Sequence, residues 1–227
     1  TSVYWVIRAW GEHWTSQLVA RGQAVNLWEV DGIMNLNYQK RDGTQMAPSL
    51  VLVDSGDQTD MVYDFCVDTA EYTLPSKGAS KKLETDYKIS TINKAGSRAT
   101  GHPLVMVDTS KYKDRIAARM ARKNGNGAWM VFRGIDDEYA AQVTAEHKIN
   151  ERQANGKIVQ KWVPKGSHKD NHYLDAEVYA MAAADIRGAR TWHLDKYEPS
   201  EAPKKSRSGS EAKEEQWIRE NELEGWI

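Results

Sequence analysis

The stretch Leu50-Val-Leu-Val-Asp-Ser-Gly56 decides the fold. Four aliphatic residues in a row have the length of a strand buried on both faces, and Asp54-Ser-Gly56 closes that strand with turn formers. Behind it Met61, Val62, Phe65 and Cys66 recur at helical spacing, with Thr59 as the candidate N-cap. The order is strand, acidic tip, helix. It returns at Leu104-Val-Met-Val107, Asp108-Thr-Ser110 and a helix carrying Ile116, Ala117, Met120 and Ala121. Two such units predict an α/β chain with a partly parallel sheet covered by helices.

The flanking sequence fills in this frame. Val3-Tyr-Trp-Val-Ile7 and Thr15 to Ala20, joined through Trp10-Gly-Glu-His13, read as an antiparallel hairpin, and a helix is expected from Leu27 to Tyr38. Ala128-Trp-Met-Val-Phe132 is a short strand candidate, followed by a helix from Asp136 to Glu146 that starts at Asp136 or Asp137. Asn155-Gly156 lies between the strand-like flanks of Lys148 to Val163, which predicts an extra β-hairpin. From Tyr173 to Ile186 the residues Leu174, Val178, Met181 and Ala182 form one helical stripe, and Gly188 stands where a C-terminal cap belongs.

The chain has 227 residues, enough to bury about 70% of its unfolded surface in one full-sized domain. Its longest unbroken apolar run, Val178 to Ala184, is far short of the roughly 18 residues that cross a bilayer, so no membrane contact is expected. One cysteine, Cys66, leaves no internal disulfide framework or multi-cysteine zinc site and fits a reducing cytoplasm; its place on an apolar stripe reads as core. The net charge is −1, but the stretch from Glu198 onward carries −3 and the preceding 197 residues +2. After Tyr197 the composition turns to Pro, Ser, Lys and Glu. We expect a folded body over 1–197, a flexible linker over 198–215 and a docking segment over 216–227 built on Trp217, Ile218, Leu223 and Trp226.

Two carboxylates stand out. Asp54 follows a buried-type strand at the end where open α/β sheets place ligands, though a turn or N-cap role is equally compatible with its position. Asp175 sits in the first turn of the alanine-rich helix at the border of a core-packed face; it either favours the helix dipole from solvent or needs a cation or donors to offset desolvation. Delivered together, a strand-end and a helix-borne carboxylate suit a magnesium-dependent phosphodiesterase, because Mg²⁺ prefers oxygen ligands and a pair of ions activates water and stabilises the leaving oxygen. The candidate grips on a phosphate backbone are Lys77, the six-cation run Lys111 to Lys123, and Lys161, Lys165, His168, Lys169 and His172. Of these, the run Lys111 to Lys123 reads first as a solvated helix face. No Gly-x-x-x-x-Gly-Lys-Ser/Thr is present, so the chain carries no P-loop for ATP; His-Glu-x-x-His and Gly-x-Ser-x-Gly are missing too.

Asn171-His-Tyr-Leu-Asp-Ala-Glu-Val-Tyr-Ala-Met-Ala-Ala-Ala184 closely resembles the late helix of the lambda-type (gpA) large terminase subunits of tailed phages, whose pattern is Asn-x-x-Leu-Asp-x-x-Val-Tyr-Ala. Asp54-Ser-Gly56 with Val62-Tyr63 and Phe65 is similar to that family's Asp-Ser-Gly segment and helix. Lys77-Gly78, Lys113-Asp114 and Thr144-Ala-Glu146 fall in the family's order, so the likeness runs from Val3 to about Gly188.

The resemblance implies an RNase H-like nuclease domain of a viral DNA-packaging motor, cutting concatemeric double-stranded DNA in the host cytoplasm with two Mg²⁺ or Mn²⁺ ions. Asp54 resembles the middle metal-binding acid and Asp175 the helix-borne acid. The implied partners are DNA, the terminase small subunit, the ATPase domain of the same full-length polypeptide, and the portal of the procapsid, reached through the C-terminal segment. The family's first acid, on a Val-Asp-Val-Gln strand just ahead of the segment resembling Val3 to Gly11, has no counterpart, since no acid precedes Glu12. The expectation is that this strand lies upstream of Thr1 and that the chain by itself binds metal weakly and cleaves poorly; Asp108 and Glu177 are the other acids weighed for its place. Two further readings are a catalytically incomplete DNA- and portal-binding assembly module, and another RNase H-like enzyme of resolvase or integrase type.

Overall fold

The computed structural model describes residues 2–40, 42–167 and 170–192. The linker and docking segment, with Trp217, Ile218, Leu223 and Trp226, lie outside these residues, as do His168 and Lys169.

The chain opens with the expected hairpin, β1 (Val3–Trp10) and β2 (Ser16–Ala24), antiparallel from Val3 opposite Ala24 to Trp10 opposite Ser16, with a bulge between Ile7 and Arg8. Side-chain alternation sends Val3, Trp5 and Ile7 against the helix α1 (Leu27–Met34), and Tyr4 and Val6 to the opposite face. Asn26 caps α1 by accepting from the Glu29 amide at 3.0 Å, while Glu29 reaches back to the Val25 amide at 2.7 Å. The helix ends four residues before the expected Tyr38 because Asn35 takes the C-cap and turns its amide side chain onto the Asp31 carbonyl. Tyr38 instead enters a two-residue ladder of β3 (Tyr38–Gln39) and β4 (Gln45–Met46).

The second sheet begins at β5 (Val51–Asp54), which leads into α2 (Thr59–Asp68). Thr59 is not the N-cap: Gln58 holds that position at φ 46°, and the Thr59 hydroxyl donates back to the Ser55 carbonyl. Next come β6 (Thr73–Gly78), β7 (Tyr87–Thr91), β8 (Pro103–Val107) and α3 (Thr109–Met120), with Asp108 as the N-cap of α3. The sheet order is β5-β6-β8-β7, with β5, β6 and β8 parallel and β7 antiparallel. The two sequence units thus form a mixed sheet flanked by helices, as their grammar predicts.

The short β9 (Trp129–Met130) adds to β2 in parallel, α4 (Asp137–Val143) starts from an Asp136 cap, and β10 (Glu146–Arg152) pairs with β11 (Ile158–Pro164) around Gly156 at φ 80°. The last described helix, α5 (His172–Ile186), packs against both β1 and β5. It is not a one-stripe surface helix. Tyr173, Leu174, Val178, Tyr179, Met181 and Ala182 to Ala184 are all buried, so α5 is the central helix. Complete burial of Val178 and Met181 contributes roughly 1.5–3 kcal/mol each.

A buried ion pair ties α5 to the first sheet. Arg8 donates to Glu177 through Nε at 2.8 Å and Nη2 at 2.9 Å, and also to the Ser16 hydroxyl and the Met130 carbonyl. Its guanidinium lies 3.6 Å from the Trp129 ring centroid. Glu177 is fully enclosed by this pairing and by the Tyr139 hydroxyl.

Candidate active site

Asp54 is the last residue of β5. One carboxylate oxygen accepts from the Gly56 amide at 3.0 Å, so the turn role is real. The same residue shares a sheet face with Leu52, which packs into the cluster containing Val178 and Tyr179, so its carboxyl end faces α5. Ser55 is buried beneath it, donating from both amide and hydroxyl to the Ser76 carbonyl at 2.8 and 2.9 Å, which fixes the tip of β5 against β6. A Cβ at Gly56 would stand 3.3 Å from the Asp54 carboxylate, a close approach that would shift it by a few tenths of an ångström.

Asp175 comes from the first turn of α5, and Tyr179 lies one turn further on. The Tyr179 hydroxyl is directed at the Asp54 carboxylate; burial, followed by the charges of Asp54 and Asp175, pushes its ionisation far above the ordinary phenol range. The carboxylates from β5 and α5 line one cavity with this phenol.

A cation stands beside them. Lys113 of α3 places Nζ 2.8 Å from Glu146 and 3.2 Å from Asp175, and Asn171 donates to the same Glu146 oxygen at 2.7 Å. Lys113 and Glu146 are almost wholly enclosed, whereas Asp175 keeps 42% of its side chain exposed. Partial burial and the charges of Glu146 and Asp54 raise the Asp175 pKa, against the opposing pull of Lys113. In the sequence Glu146 reads as the end of a helix and Lys113 as one member of a basic run, besides the stretches that carry the resemblance. Lys113 is hidden in a run that reads as a solvated helix face, and only the fold shows it turned inward.

The basic candidates scatter. His172 stacks on Tyr4 with ring centroids 4.5 Å apart and lines the same cavity as Asp54 and Asp175. Lys77 is on the other face of β6, its Nζ 3.4 Å from the Thr59 hydroxyl and 5.7 Å from the Tyr63 ring centroid, on the side of α2. Lys165 is exposed, with its backbone amide on the Ala145 carbonyl next to Glu146. Lys161 pairs with Glu151. Neither spare acid is available: Asp108 caps α3 and accepts from the Leu83 amide, and Glu177 is consumed by Arg8. Among the described residues no three His, Cys, Asp or Glu side chains stand together in a metal-holding group.

Among the described residues the two sheets do not join: β1 pairs with β2 alone and β5 with β6 alone, and the edges of both line a cavity of about 430 Å³. Its lining includes Val3, Trp5, Val51, Val53, Asp54 and, from α5, Asp175.

The family model described as terminase large subunit gpA, endonuclease domain, matches residues 1–195. The chain belongs to this family. It is accordingly an endonuclease domain of a phage terminase large subunit, a family whose partners are DNA and the packaging machinery. No match is found among curated proteins or among solved structures. In this gpA endonuclease domain the carboxylate pair falls on the two motifs that carry the resemblance, one at the tip of β5 and one in the first turn of α5. No described helix is long and apolar enough to cross a membrane.

Proposed function

We propose that this chain hydrolyses phosphodiester bonds of double-stranded DNA at the Asp54–Asp175 pair, with Mg²⁺ or Mn²⁺ held between them, in an RNase H-like arrangement. The observation that supports it is that Asp54, Asp175 and Tyr179 line one cavity between β5 and α5. Their donor chemistry suits the group: carboxylate oxygens are the ligands hard divalent ions take. When bound, such ions supply charge stabilisation to the attacked phosphate and lower the pKa of water.

The chain's own residues do the positioning. Asp54 is held by the Gly56 amide and the buried Ser55, so its second oxygen keeps one direction. Asp175 is held against Lys113, which keeps its carboxyl more ionised than burial alone would allow. Tyr179 offers its phenolic proton to Asp54 and orients that carboxylate. Lys113, pinned by Glu146, supplies a fixed positive charge at the edge of the pair, where a phosphate oxygen would be attracted. His172 and Lys165 flank the approach.

Two carboxylates hold less charge against two dications than three. The facing open edges of β1 and β5, with Asp54 at the end of one, leave room for a further strand that would join both sheets and bring a third acid. The Lys113 ammonium seated between Glu146 and Asp175 favours a second reading, an assembly module that binds DNA and, through its C-terminal segment, the portal, with Lys113 occupying the carboxylate cluster in place of a metal. Acting beside the small subunit and its own ATPase domain in the host cytoplasm fits either reading.

The test is nicking of supercoiled plasmid in Mn²⁺ by the wild type, Asp54→Asn and Asp175→Asn. Each substitution is expected to lower the rate at least 100-fold. Equal nicking by all three would remove the assignment, and metal-independent DNA retention without nicking by any of them would favour the assembly module.

A further inference from the structure

The other end of α5 carries a second constellation. The turn Glu12–Trp14 between β1 and β2 holds both His13 and Trp14 in the left-handed region, at φ 55° and 62°. A bulky non-glycine residue pays about 1–2 kcal/mol for that backbone. The turn places the Trp14 ring, 4% exposed, under three guanidinium groups: Arg115 and Arg119 of α3 and Arg190 beyond α5 lie 5.9, 5.1 and 5.4 Å from its centroid. Together with His13 they bound a surface cavity of about 360 Å³.

Among the described residues the charges there do not balance. Asp86 accepts from Arg115 and from Arg190, each at 2.7 Å, and also faces Lys111 at 3.9 Å. Asp185 pairs with Arg190 and accepts from Tyr112. Among the described residues Arg119 has neither carboxylate and donates only to the Gly127 carbonyl, at 3.3 Å. Burial and the neighbouring Arg122 and Arg115 push its pKa below the ordinary guanidinium range, which marks an uncompensated positive charge. Three buried donors, Trp14 Nε1, Arg115 Nη1 and Arg119 Nε, have no acceptor among the described residues. Like-charged groups gathered over one ring with donors to spare call for an oxyanion, and guanidinium forks match the tetrahedral oxygens of phosphate better than ammonium groups do.

We propose that the cavity bounded by Trp14, Arg115, Arg119 and Arg190 is a phosphate-binding site. It is separate from the carboxylate pair: Asp185, which holds Arg190, is ten residues after Asp175 along α5, about 15 Å on. The phosphate belongs either to a DNA backbone or to a free phosphate or phosphomonoester, and one experiment distinguishes them. Inorganic phosphate and a short DNA duplex are each titrated into the full 227-residue chain by calorimetry, the duplex over a range of salt. The proteins are the wild type, Arg119→Gln and Arg190→Gln.

If the site takes DNA, Arg119→Gln and Arg190→Gln each lower the slope of log affinity against log salt by about one and weaken duplex binding. If it takes free phosphate, both weaken inorganic phosphate at least 10-fold with the duplex slope unchanged. Arg190→Gln replaces a half-exposed side chain and keeps the test valid if the Arg119 variant misfolds. Phosphate affinity and duplex slope unchanged in the folded variants would overturn the proposal.

Discussion

Lys113 acts directly on the ionisation of Asp175. Its charge is the force that opposes the raised pKa of Asp175; burial, Glu146 and Asp54 all act the other way. In the metal-free protein Asp175 therefore binds its proton at higher pH than a free carboxylate. Its ionisation works against the fold above that folded pKa, and the penalty is relieved as pH falls through it. Lys113→Met is expected to move the Asp175 titration further up, read from its carboxyl ¹³C shift against pH, and to move the acid limb of nicking in the same direction. An unchanged titration would mean that Lys113 does not reach Asp175 in solution. Cys66 offers a simpler check. Burial pushes its thiol up to about 12, so Ellman's reagent is expected to label it only after denaturation.

The helices and strands show where local patterns succeed. Asn155-Gly156 formed its hairpin because Gly156 adopts φ 80° at little cost. Gly156→Val is expected to cost about 1–2 kcal/mol and to speed amide exchange in β10 and β11, leaving α5 protected. β6 was not legible, since Pro75 inside Thr73 to Gly78 argues against a central strand. The structure shows how it is tolerated: β6 pairs with β8 only from Ser76 onward, so the missing N–H falls before that ladder starts. The stripe read in α5 also misleads, because which faces are buried depends on what surrounds the helix. Glu177, on the face that reads as polar, is enclosed with Arg8, 169 positions away. Glu177→Gln leaves that guanidinium buried without its counter-charge and is expected to cost about 3–5 kcal/mol, measured as a fall in the urea midpoint.

Across the folded unit, α5 packs against both sheets, α1 packs on α2 beside Val3 and Val53, and a cavity lies between β1 and β5. Unpaired strand edges are ordinarily covered or disrupted, and two of them facing one slot is an arrangement that a further strand would satisfy. A chain extended ahead of Thr1 by a strand bearing one acid is expected to slow amide exchange along Val3–Ile7 and Val51–Asp54 and to raise both the thermal midpoint and the Mn²⁺ affinity. Exchange unchanged at both edges would count against a joining strand.

The sequence alone determined the two strand–acid–helix units, the hairpins, the cap of Gly188 beyond α5, and the two aspartates on which the family resemblance rests. These depend on residues close together in the chain, where spacing and backbone preference are sufficient. Only the tertiary structure decided that Lys113 and Glu146 stand beside Asp175, that Lys77 lies on the far face of its strand, and that Trp14 gathers three arginines. Each of those facts is set by long-range packing, which decides what a side chain meets once solvent is excluded, and no local pattern encodes that meeting.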